Sequence, residues 1–441
     1  MDLRKTAAKH GEDIAAGRTD PVELAEAMLD AIAAHPAGDK IYARTMPDRA
    51  RAEAEAARAR ARNGVRVGPL DGVPISWKDL FDTAGVATES GSRLLAGRVP
   101  SADAKVVALG AMAGLVSLGK THQTELAFSG LGLNRTTETP PNIHDPALAP
   151  GGSSSGAAVS VAAGLASIAM GSDTGGSSRV PPAWNDLVGL KPPVGALSVR
   201  GVLPLAPRFD APGPIGRTVE DVALLTAALQ PGPAPDLAGA TVSGCRFLVL
   251  ESPHLPSLDP APTAAFETAL SRLSAAGALL TRGDFAGLEE AMSLAGVLYT
   301  TEAYAIWGAQ IAAHGDVMDP RIRARFEQGV AFSGVDYVRA VARLDTLRAA
   351  YRAATASYDA VLLPSVAILP PPIARLEEDD AYFVAQNLAA LRNTRVGNLM
   401  GIAALTLPTE TPHCGVMAMV MPERLPTLFR LGAGIEAALV P

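Results

Sequence analysis

Hydrophobic residues recur at helical spacing through the first part of the chain. Leu24, Met28 and Ile32 follow one another four residues apart, which places them on one face of a helix. The stretch from Pro47 to Arg62 is rich in Ala, Glu and Arg, and this composition is typical of a second, exposed helix. The pattern therefore predicts N-terminal helices over about residues 1–62.

From Gly72 onward, short apolar runs punctuated by glycine and proline replace the helical pattern. Such runs are typical of buried strands, and the longer stretches between them are typical of helices. The predicted strands are 73–78, 115–118, 246–250, 278–280 and 358–364, and the predicted helices between them include 104–113 and 263–276. Strands that alternate with helices favour an α/β fold. Because no linker or low-complexity tract interrupts the pattern, we expect one domain over residues 1–441.

Composition narrows the class of protein. Of the 441 residues, 48% are hydrophobic and 19% are charged, which suits a large buried core. The formal net charge of -7 argues against a general affinity for nucleic acid. Cys245 and Cys414 are too few for a disulfide framework, and no Cys/His cluster has the spacing of a zinc site.

The hydropathy of the chain also bears on its location. The N-terminus lacks the apolar core of a signal peptide, and the longest apolar stretch, residues 157–170, is shorter than a membrane span. We therefore expect a cytoplasmic protein with no membrane or nucleic-acid partner, and a homodimer is possible.

Two glycine–serine clusters flank an apolar segment of small residues. They are residues 151–156 (GGSSSG) and 175–178 (GGSS). Glycine lets the backbone approach a ligand closely and direct several N–H groups at one point. A serine beside such N–H groups is a candidate nucleophile next to its own oxyanion hole. Two such clusters favour acyl transfer over the alternative, a structural loop rich in glycine and serine.

Other known motifs match the sequence pattern but lack the structural context that their function requires. Residues 114–121 (GLVSLGKT) fit the phosphate-loop pattern, but the residues between the glycines are apolar and strand-like, where a loop is required. The S-x-x-K within this segment has none of its usual partner motifs. Residues 152–156 fit the nucleophile elbow, yet Pro150 interrupts the strand that should precede it. We therefore expect neither nucleotide binding nor an α/β-hydrolase.

The base that such a serine requires is not evident among the seven histidines. His122 is the best placed of them, but none lies in a motif that marks a catalytic base. Lys78 ends an apolar run that would carry it into the core, where burial lowers the pKa of a lysine and favours its neutral form. The alternative is a strand-end lysine that pairs with Asp79 or Asp82 at the surface.

Together these segments resemble the amidase signature family. The similarity covers residues 68–79, 119–127, 150–156, 171–177, 188–192 and 214–221, and it continues more weakly through 358–364 and 398–408. The resemblance implies an α/β/α layered sandwich around a large mixed, mostly parallel sheet.

The resemblance also implies a Ser–cis-Ser–Lys triad. Ser177 matches the nucleophile, Ser153 matches the bridging serine that follows a cis peptide bond, and Lys78 matches the base. The oxyanion hole is matched by four main-chain amides, those of Thr174, Gly175, Gly176 and Ser177. The activity implied is hydrolysis of a linear, non-peptide amide through an acyl-enzyme. It releases ammonia or an amine and a carboxylic acid, and it needs no metal or cofactor.

The walls around the nucleophile are where the chain departs from the family pattern. The usual family residues are absent at 184–187 (WNDL), Ser178 and Pro193. The identity of the small-molecule amide is therefore not predicted. The candidate substrate contacts are Ser129, Ser154, Arg179, Trp184 and Arg208. For Arg179, bracing of the loop is favoured over binding of a substrate carboxylate.

The segment 285–345 is expected to shape the pocket. Its aromatic candidates are Tyr299, Tyr304, Trp307 and Phe326, although a place in the helical core is favoured for most of them.

Three other functions stay open at this point. Two belong to the same family: the glutamyl-tRNA amidotransferase A-like subunit, which works with partner subunits, and hydrolases of carboxylated ureas such as allophanate. The third is a catalytically silent scaffold or binding protein. The presence of Lys78, Ser153 and Ser177 favours an active amidase over a scaffold.

Overall fold

An eleven-stranded sheet lies at the centre of the structure, a computed structural model that describes residues 1–230, 232–252, 255 and 259–439. The strands are β1 Tyr42–Thr45, β2 Pro74–Lys78, β3 Val116–Thr121, β4 Ile168–Asp173, β5 Val188–Lys191, β6 Ala211–Gly216, β7 Arg246–Leu250, β8 Leu279–Gly283, β9 Ala360–Pro364, β10 Ala403–Pro408 and β11 Gly415–Val420. Their order across the sheet is β1-β3-β2-β4-β6-β5-β10-β11-β9-β7-β8.

The sheet is mixed, as expected for this α/β class, but it is not mostly parallel. Strand β2 is parallel to β3 and β4, and β7 is parallel to β8 and β9, whereas the other six pairs are antiparallel. The expectation of a mostly parallel sheet is therefore wrong. The predicted alternation of strands and helices holds near the two edges, where one helix connects β2 to β3 and another connects β7 to β8, and such crossovers give parallel neighbours. The middle of the sheet is instead built from strands such as β10 and β11, whose short connection enforces antiparallel pairing.

Helices cover both faces of this sheet. Phe247 and Val249 of β7 belong to one apolar cluster, whereas Leu248 and Leu250 belong to another, because successive side chains of a strand point to opposite faces. Strands β2, β3 and β4 are buried at every position. The layered α/β/α arrangement is confirmed.

The helices of the described residues are as follows: α1 Ala7–Ala15, α2 Pro21–Ala34, α3 Gly38–Ile41, α4 Pro47–Arg62, α5 Lys105–Met112, α6 Ser155–Ala162, α7 Val180–Trp184, α8 Val219–Ala228, α9 Pro260–Ala275, α10 Leu288–Ser293, α11 Ala295–His314, α12 Pro320–Glu327, α13 Gly334–Thr355, α14 Ile373–Glu378, α15 Asp380–Ala390, α16 Arg392–Leu399 and α17 Leu425–Leu439. Predicted helices over 1–62, 104–113 and 263–276 correspond to α1 to α4, α5 and α9.

The N-terminal helices form for reasons visible in the sequence. Asp20 caps α2, because its side chain accepts a hydrogen bond from the amide of Val22. Leu24, Met28 and Ile32 are buried on the inner face of that helix, as their spacing predicts. Strand β1, which follows α3 and pairs with β3, was not predicted.

The segment that fits the phosphate-loop pattern is a buried strand. Residues 116–121 form β3, and Lys120 Nζ lies 3.2 Å from a carboxylate oxygen of Asp79. The backbone there pairs with β2, so its amides cannot form a phosphate-binding loop.

Candidate active site

Lys78 lies at the end of β2, in the interior of the protein. Its Nζ donates hydrogen bonds to Ser153 Oγ (2.7 Å) and Ser172 Oγ (2.8 Å). Burial lowers its pKa to about 7, although the more distant charges of Asp173 and Asp210 act in the opposite direction. A buried amine held by hydroxyls rather than by a carboxylate is suited to lose its proton near neutral pH.

The alternative placement of Lys78, at the surface beside Asp79 or Asp82, is wrong. Asp79 is itself buried and pairs with Arg44 and Lys120, and Asp82 pairs with Arg98. The apolar residues of β2 carry Lys78 inward, as the sequence predicts.

Ser153 lies in the loop that leads into α6. The Gly152–Ser153 peptide bond is cis, as the resemblance implied. The amide of Gly152 donates to the carbonyl of Gly130 (2.8 Å), and the carbonyl of Ser153 accepts from the amide of Thr124 (3.2 Å). A side chain at position 152 would lie 2.5 Å from the amide nitrogen of Gly132, so only glycine permits this close approach. Main-chain contacts thus fix the hydroxyl of Ser153 beside Lys78.

Ser177 lies in the loop between β4 and α7, five residues after Ser172. Ser177 is buried, and the small part that stays accessible lines a cavity. The amides of residues 174–177 make no hydrogen bond within the part of the chain that the structure describes. Gly176 adopts φ 145°, and a Cβ there would lie 2.1 Å from Thr394 Oγ1. Four free amides and a serine hydroxyl therefore share one short loop at the cavity wall.

The loop that carries Ser177 is braced by a buried ion pair. The guanidinium of Arg179 donates to both carboxylate oxygens of Asp173 (3.0 and 2.9 Å) and to Asn398 Oδ1 (2.6 Å). Burial alone would raise the pKa of Asp173, but Arg179 and Asn398 outweigh this effect and lower the pKa to about 2. Arg179 thus has the bracing position that the sequence favoured. Its remaining nitrogen, Nη1, donates to the carbonyl of Thr394 and to Met417 Sδ, so the guanidinium is not available to bind a substrate.

The cavity beside Ser177 has a volume of about 440 Å³. The predicted pocket segment 285–345 contributes to it through α11 and α12. The lining residues are Ala127, Phe128, Ser129, Thr174, Gly175, Ser177, Leu205, Ala295, Gly296, Tyr299, Thr300, Pro320, Arg321, Ala324, Arg325, Gln328, Asp380, Val384, Leu388, Leu391 and Arg395. Among the four aromatic candidates, Tyr299 lies on the wall, whereas Tyr304, Trp307 and Phe326 do not.

The candidate substrate contacts divide between the cavity and the protein interior. Ser129 lines the cavity. Ser154 does not, because its hydroxyl bonds to the main chain of Ser172. Trp184 is buried and donates its indole N–H to the carbonyl of Ile368 (3.2 Å).

Arg208, the last of these candidates, lies outside the cavity lining. Its amide donates to Glu302 (3.0 Å), and its guanidinium lies 3.5 Å from the same carboxylate. The structure therefore does not bring Ser154, Trp184 or Arg208 to the cavity.

Sequence reasoning missed three residues of this site. Ser172 is the second-last residue of β4, the parallel neighbour of β2, so the pairing of these two strands is the signal that would have found it beside Lys78. Arg325 and Arg395 come from α12 and α16, far along the chain, and no sequence pattern links them to the serine clusters.

Two further features of the described residues bear on function. No group of three or more His, Cys, Asp or Glu side chains there could hold a metal ion. Within the same residues, none of the helices has the length and apolar character required to cross a membrane.

Comparison with known proteins places this arrangement in a family. The family model described as Amidase matches residues 23–416, a span that contains Lys78, Ser153 and Ser177. The chain belongs to the Amidase family. The resemblance to the amidase signature family is thereby confirmed, and so is the prediction that this amidase-family chain is an enzyme of the amide-hydrolase type.

Relatives of this amidase-family chain match it over most of its length. The 2-amino-5-chloromuconic acid deaminase of Comamonas testosteroni is 36% identical over 89% of this chain and 87% of its own. An amidase of Pseudomonas putida is 33% identical over 99% and 96%. The glutamyl-tRNA(Gln) amidotransferase A subunit of Chloroflexus aurantiacus is 31% identical over 95% and 93%. A crystal structure of an amidase superposes with a TM-score of 0.88 at 29% identity, over 99% of this chain and 100% of that chain.

Proposed function

We propose that this protein is a serine amidase that hydrolyses the C–N bond of a linear, non-peptide, small-molecule amide. In this proposal Ser177 is the nucleophile, Ser153 is the bridging serine and Lys78 is the base. The observation that supports it most is the buried amine of Lys78, which contacts Ser153 Oγ at 2.7 Å. The names of its relatives, which include an amidase and a deaminase, agree with this chemistry.

The proton relay begins at Lys78. The neutral amine takes the proton of Ser153 Oγ, while Ser172 Oγ keeps Nζ in place. Ser153 in turn takes the proton of Ser177, whose oxygen forms a bond to the amide carbon. The proton then returns through the same relay to the leaving nitrogen, so that ammonia or an amine departs as a neutral molecule. Water repeats the attack on the acyl-enzyme and releases the carboxylic acid.

The four amides of residues 174–177 form the proposed oxyanion hole. They make no hydrogen bond in the described structure, so they are available when negative charge develops on the carbonyl oxygen. One such donor typically lowers the barrier by about 3 kcal/mol. No step of this relay uses a metal or a cofactor.

Labelling with a fluorophosphonate probe tests the proposal directly. We expect the probe to attach to Ser177, and we expect Ser177→Ala to abolish both labelling and the release of ammonia from amides. Ser178→Ala is the matched control, because the neighbouring hydroxyl is fully buried and bonds to Asp173. A silent scaffold would show neither labelling nor turnover.

The amidotransferase role is the second candidate function. It is supported by the similarity to the A subunit of the glutamyl-tRNA(Gln) amidotransferase over 95% of this chain. Turnover of amides by the isolated protein would favour the stand-alone amidase. Hydrolysis of carboxylated ureas, a homodimer and a cytoplasmic location stay predictions from the sequence.

A further inference from the structure

Two arginines that have no carboxylate partner among the described residues line the cavity that contains Ser177. Arg325 belongs to α12 and Arg395 to α16. Neither side chain forms an ion pair or a hydrogen bond within the part of the chain that the structure describes, and the buried Nε of Arg325 is left without an acceptor. The Arg325 guanidinium lies over the ring of Phe128, 4.6 Å from its centroid.

The remaining charges of the cavity wall do not neutralise these two. Arg321 is already paired with Asp319 (2.9 Å) and donates to the carbonyl of Leu376 (2.6 Å). Asp380 is exposed, and its carboxylate lies 3.8 Å from Arg321. The cavity wall therefore has an excess of positive charge.

This excess lies close to the proposed oxyanion loop. A Cβ on Gly175 would lie 3.9 Å from Cγ of Arg395, which places that side chain beside the free amides. Burial, and then the charge of Arg395, lower the pKa of Arg325 to about 9. The two guanidiniums thus repel each other in a partly dehydrated space, where an anion would stabilise both.

The anion that fits a guanidinium best is a carboxylate, whose two oxygens lie in one plane. A guanidinium presents parallel N–H donors that match a carboxylate, and such charge-assisted pairs are among the strongest hydrogen bonds. The hydroxyl of Tyr299 on the same wall is a further group without a partner among the described residues. Apolar side chains of the same wall, those of Phe128, Leu205 and Leu391, suit a hydrocarbon spacer.

We infer that the substrate is an acid amide, in which a carboxylate binds Arg325 and Arg395 while the amide carbon faces Ser177. This inference rests on the proposed function, since it assigns the substrate class of the same site. The product is then a dicarboxylate, so the preceding reaction must supply a carboxylated amide. None of the candidate contacts named from the sequence takes part in this recognition.

Matched pairs of substrates test the inference. The monoamides of succinic, glutaric, adipic and pimelic acid are compared with the corresponding diamides, in which a neutral carboxamide replaces the carboxylate. We expect the best acid amide to exceed its diamide in kcat/KM by about tenfold or more, since hydrogen bonds to charged groups have this strength. Arg325→Gln and Arg395→Gln should each reduce that preference about tenfold.

Arg323→Gln is the matched control on the same helix. Its side chain lies outside the cavity lining and pairs with Glu327 (3.5 Å), so the preference for acid amides should persist. A wild-type enzyme that cleaves diamides at least as well as every acid amide would overturn the inference and leave the proposed amidase intact.

A second measurement does not depend on turnover. Dicarboxylates from succinate to pimelate should slow fluorophosphonate labelling of Ser177 in the wild-type protein and should not do so in the double variant Arg325→Gln/Arg395→Gln. If no dicarboxylate slows labelling and acid amides are not preferred, the carboxylate site is excluded, whereas the proposed amidase function is not. Absence of both labelling and turnover would instead exclude the proposed function, and this inference with it.

Discussion

Burial gives Lys78 a chemistry that differs from that of the other buried lysine nearby. Lys120 is also buried, but its ammonium lies 3.2 Å from the carboxylate of Asp79 and so has a counter-charge. The contacts of Lys78 are two serine hydroxyls, which can hydrogen-bond to the amine in either protonation state but supply no counter-charge. Two lysines on adjacent strands thus differ in role because only one has an acid as its neighbour.

The pH dependence of activity follows from this difference. Burial lowers the pKa of Lys78 from 10.5 to about 7, and only the neutral amine can accept a proton. We therefore expect kcat/KM to be low when Lys78 is protonated, to rise through pH 7 and to level off above it. Steady-state rates between pH 5 and 9 check this. Activity that does not fall towards pH 5 would show that another group is the base.

Ser172 is a positioning residue for the proposed base. Ser172→Ala removes one of the two hydrogen bonds of Lys78 Nζ, so the amine is less well oriented and its charged form is less well solvated. We expect kcat to fall about tenfold and the acidic limb of the pH profile to move to lower pH. Ser172→Thr retains a hydroxyl, so its kcat and its pH profile should both lie close to those of the wild type. A loss of rate with an unchanged pH profile would contradict this role.

At the scale of secondary structure, three short segments assemble the site. Strands β2 and β4 are parallel neighbours, so their ends bring Lys78 and Ser172 together. The loop after β4 supplies Ser177 and the free amides, and the loop before α6 supplies Ser153. The turns are tight because glycines occupy positions where a Cβ would collide with the neighbouring segment.

Gly176 is the position in these turns where this argument is easiest to test. A Cβ in Gly176→Ala would lie 2.1 Å from Thr394 Oγ1 and 2.8 Å from Thr394 Cβ, and φ 145° is unfavourable for any L side chain. The loop must therefore shift, and we expect kcat to fall by roughly a hundredfold, about the effect of losing one oxyanion donor. At the adjacent Gly175, the nearest atom to a new Cβ is 3.9 Å away. Gly175→Ala should therefore be much less harmful, and equal losses would contradict the steric explanation.

At the scale of the whole molecule, sequence reasoning succeeded where the signal is local. Periodicity located α2 and β7, and the serine clusters and the strand-end position of Lys78 were visible in the printed sequence. The antiparallel centre of the sheet was missed because strand direction depends on how distant segments pair. Arg325 and Arg395 were missed for the same reason, since only the assembled fold brings α12 and α16 to the loop after β4.

Arg179, the buried partner of Asp173, connects such distant segments, and its replacement tests how much this connection stabilises the fold. Arg179 also donates to the carbonyl of Thr394 (2.6 Å) and to Asn398 in α16, so one guanidinium links the loop after β4 to a helix more than 200 residues away. Arg179→Met leaves a carboxylate buried without its partner, and breaking a buried pair in this way typically destabilises a protein by about 3–5 kcal/mol.

Chemical denaturation of the Arg179→Met variant should show this loss as a lower midpoint, and Arg179→Lys, which keeps the charge but not the paired donors, should lie between it and the wild type. The matched control is Arg343→Met, because Arg343 and its partner Glu290 are exposed and water screens their attraction. If Arg179 braced nothing and served only to bind substrate, the two methionine variants would denature alike and the Arg179 variant would differ from the wild type in KM alone. A large shift of the midpoint with the preference for acid amides retained would assign Arg179 to the structure and leave carboxylate recognition to Arg325 and Arg395.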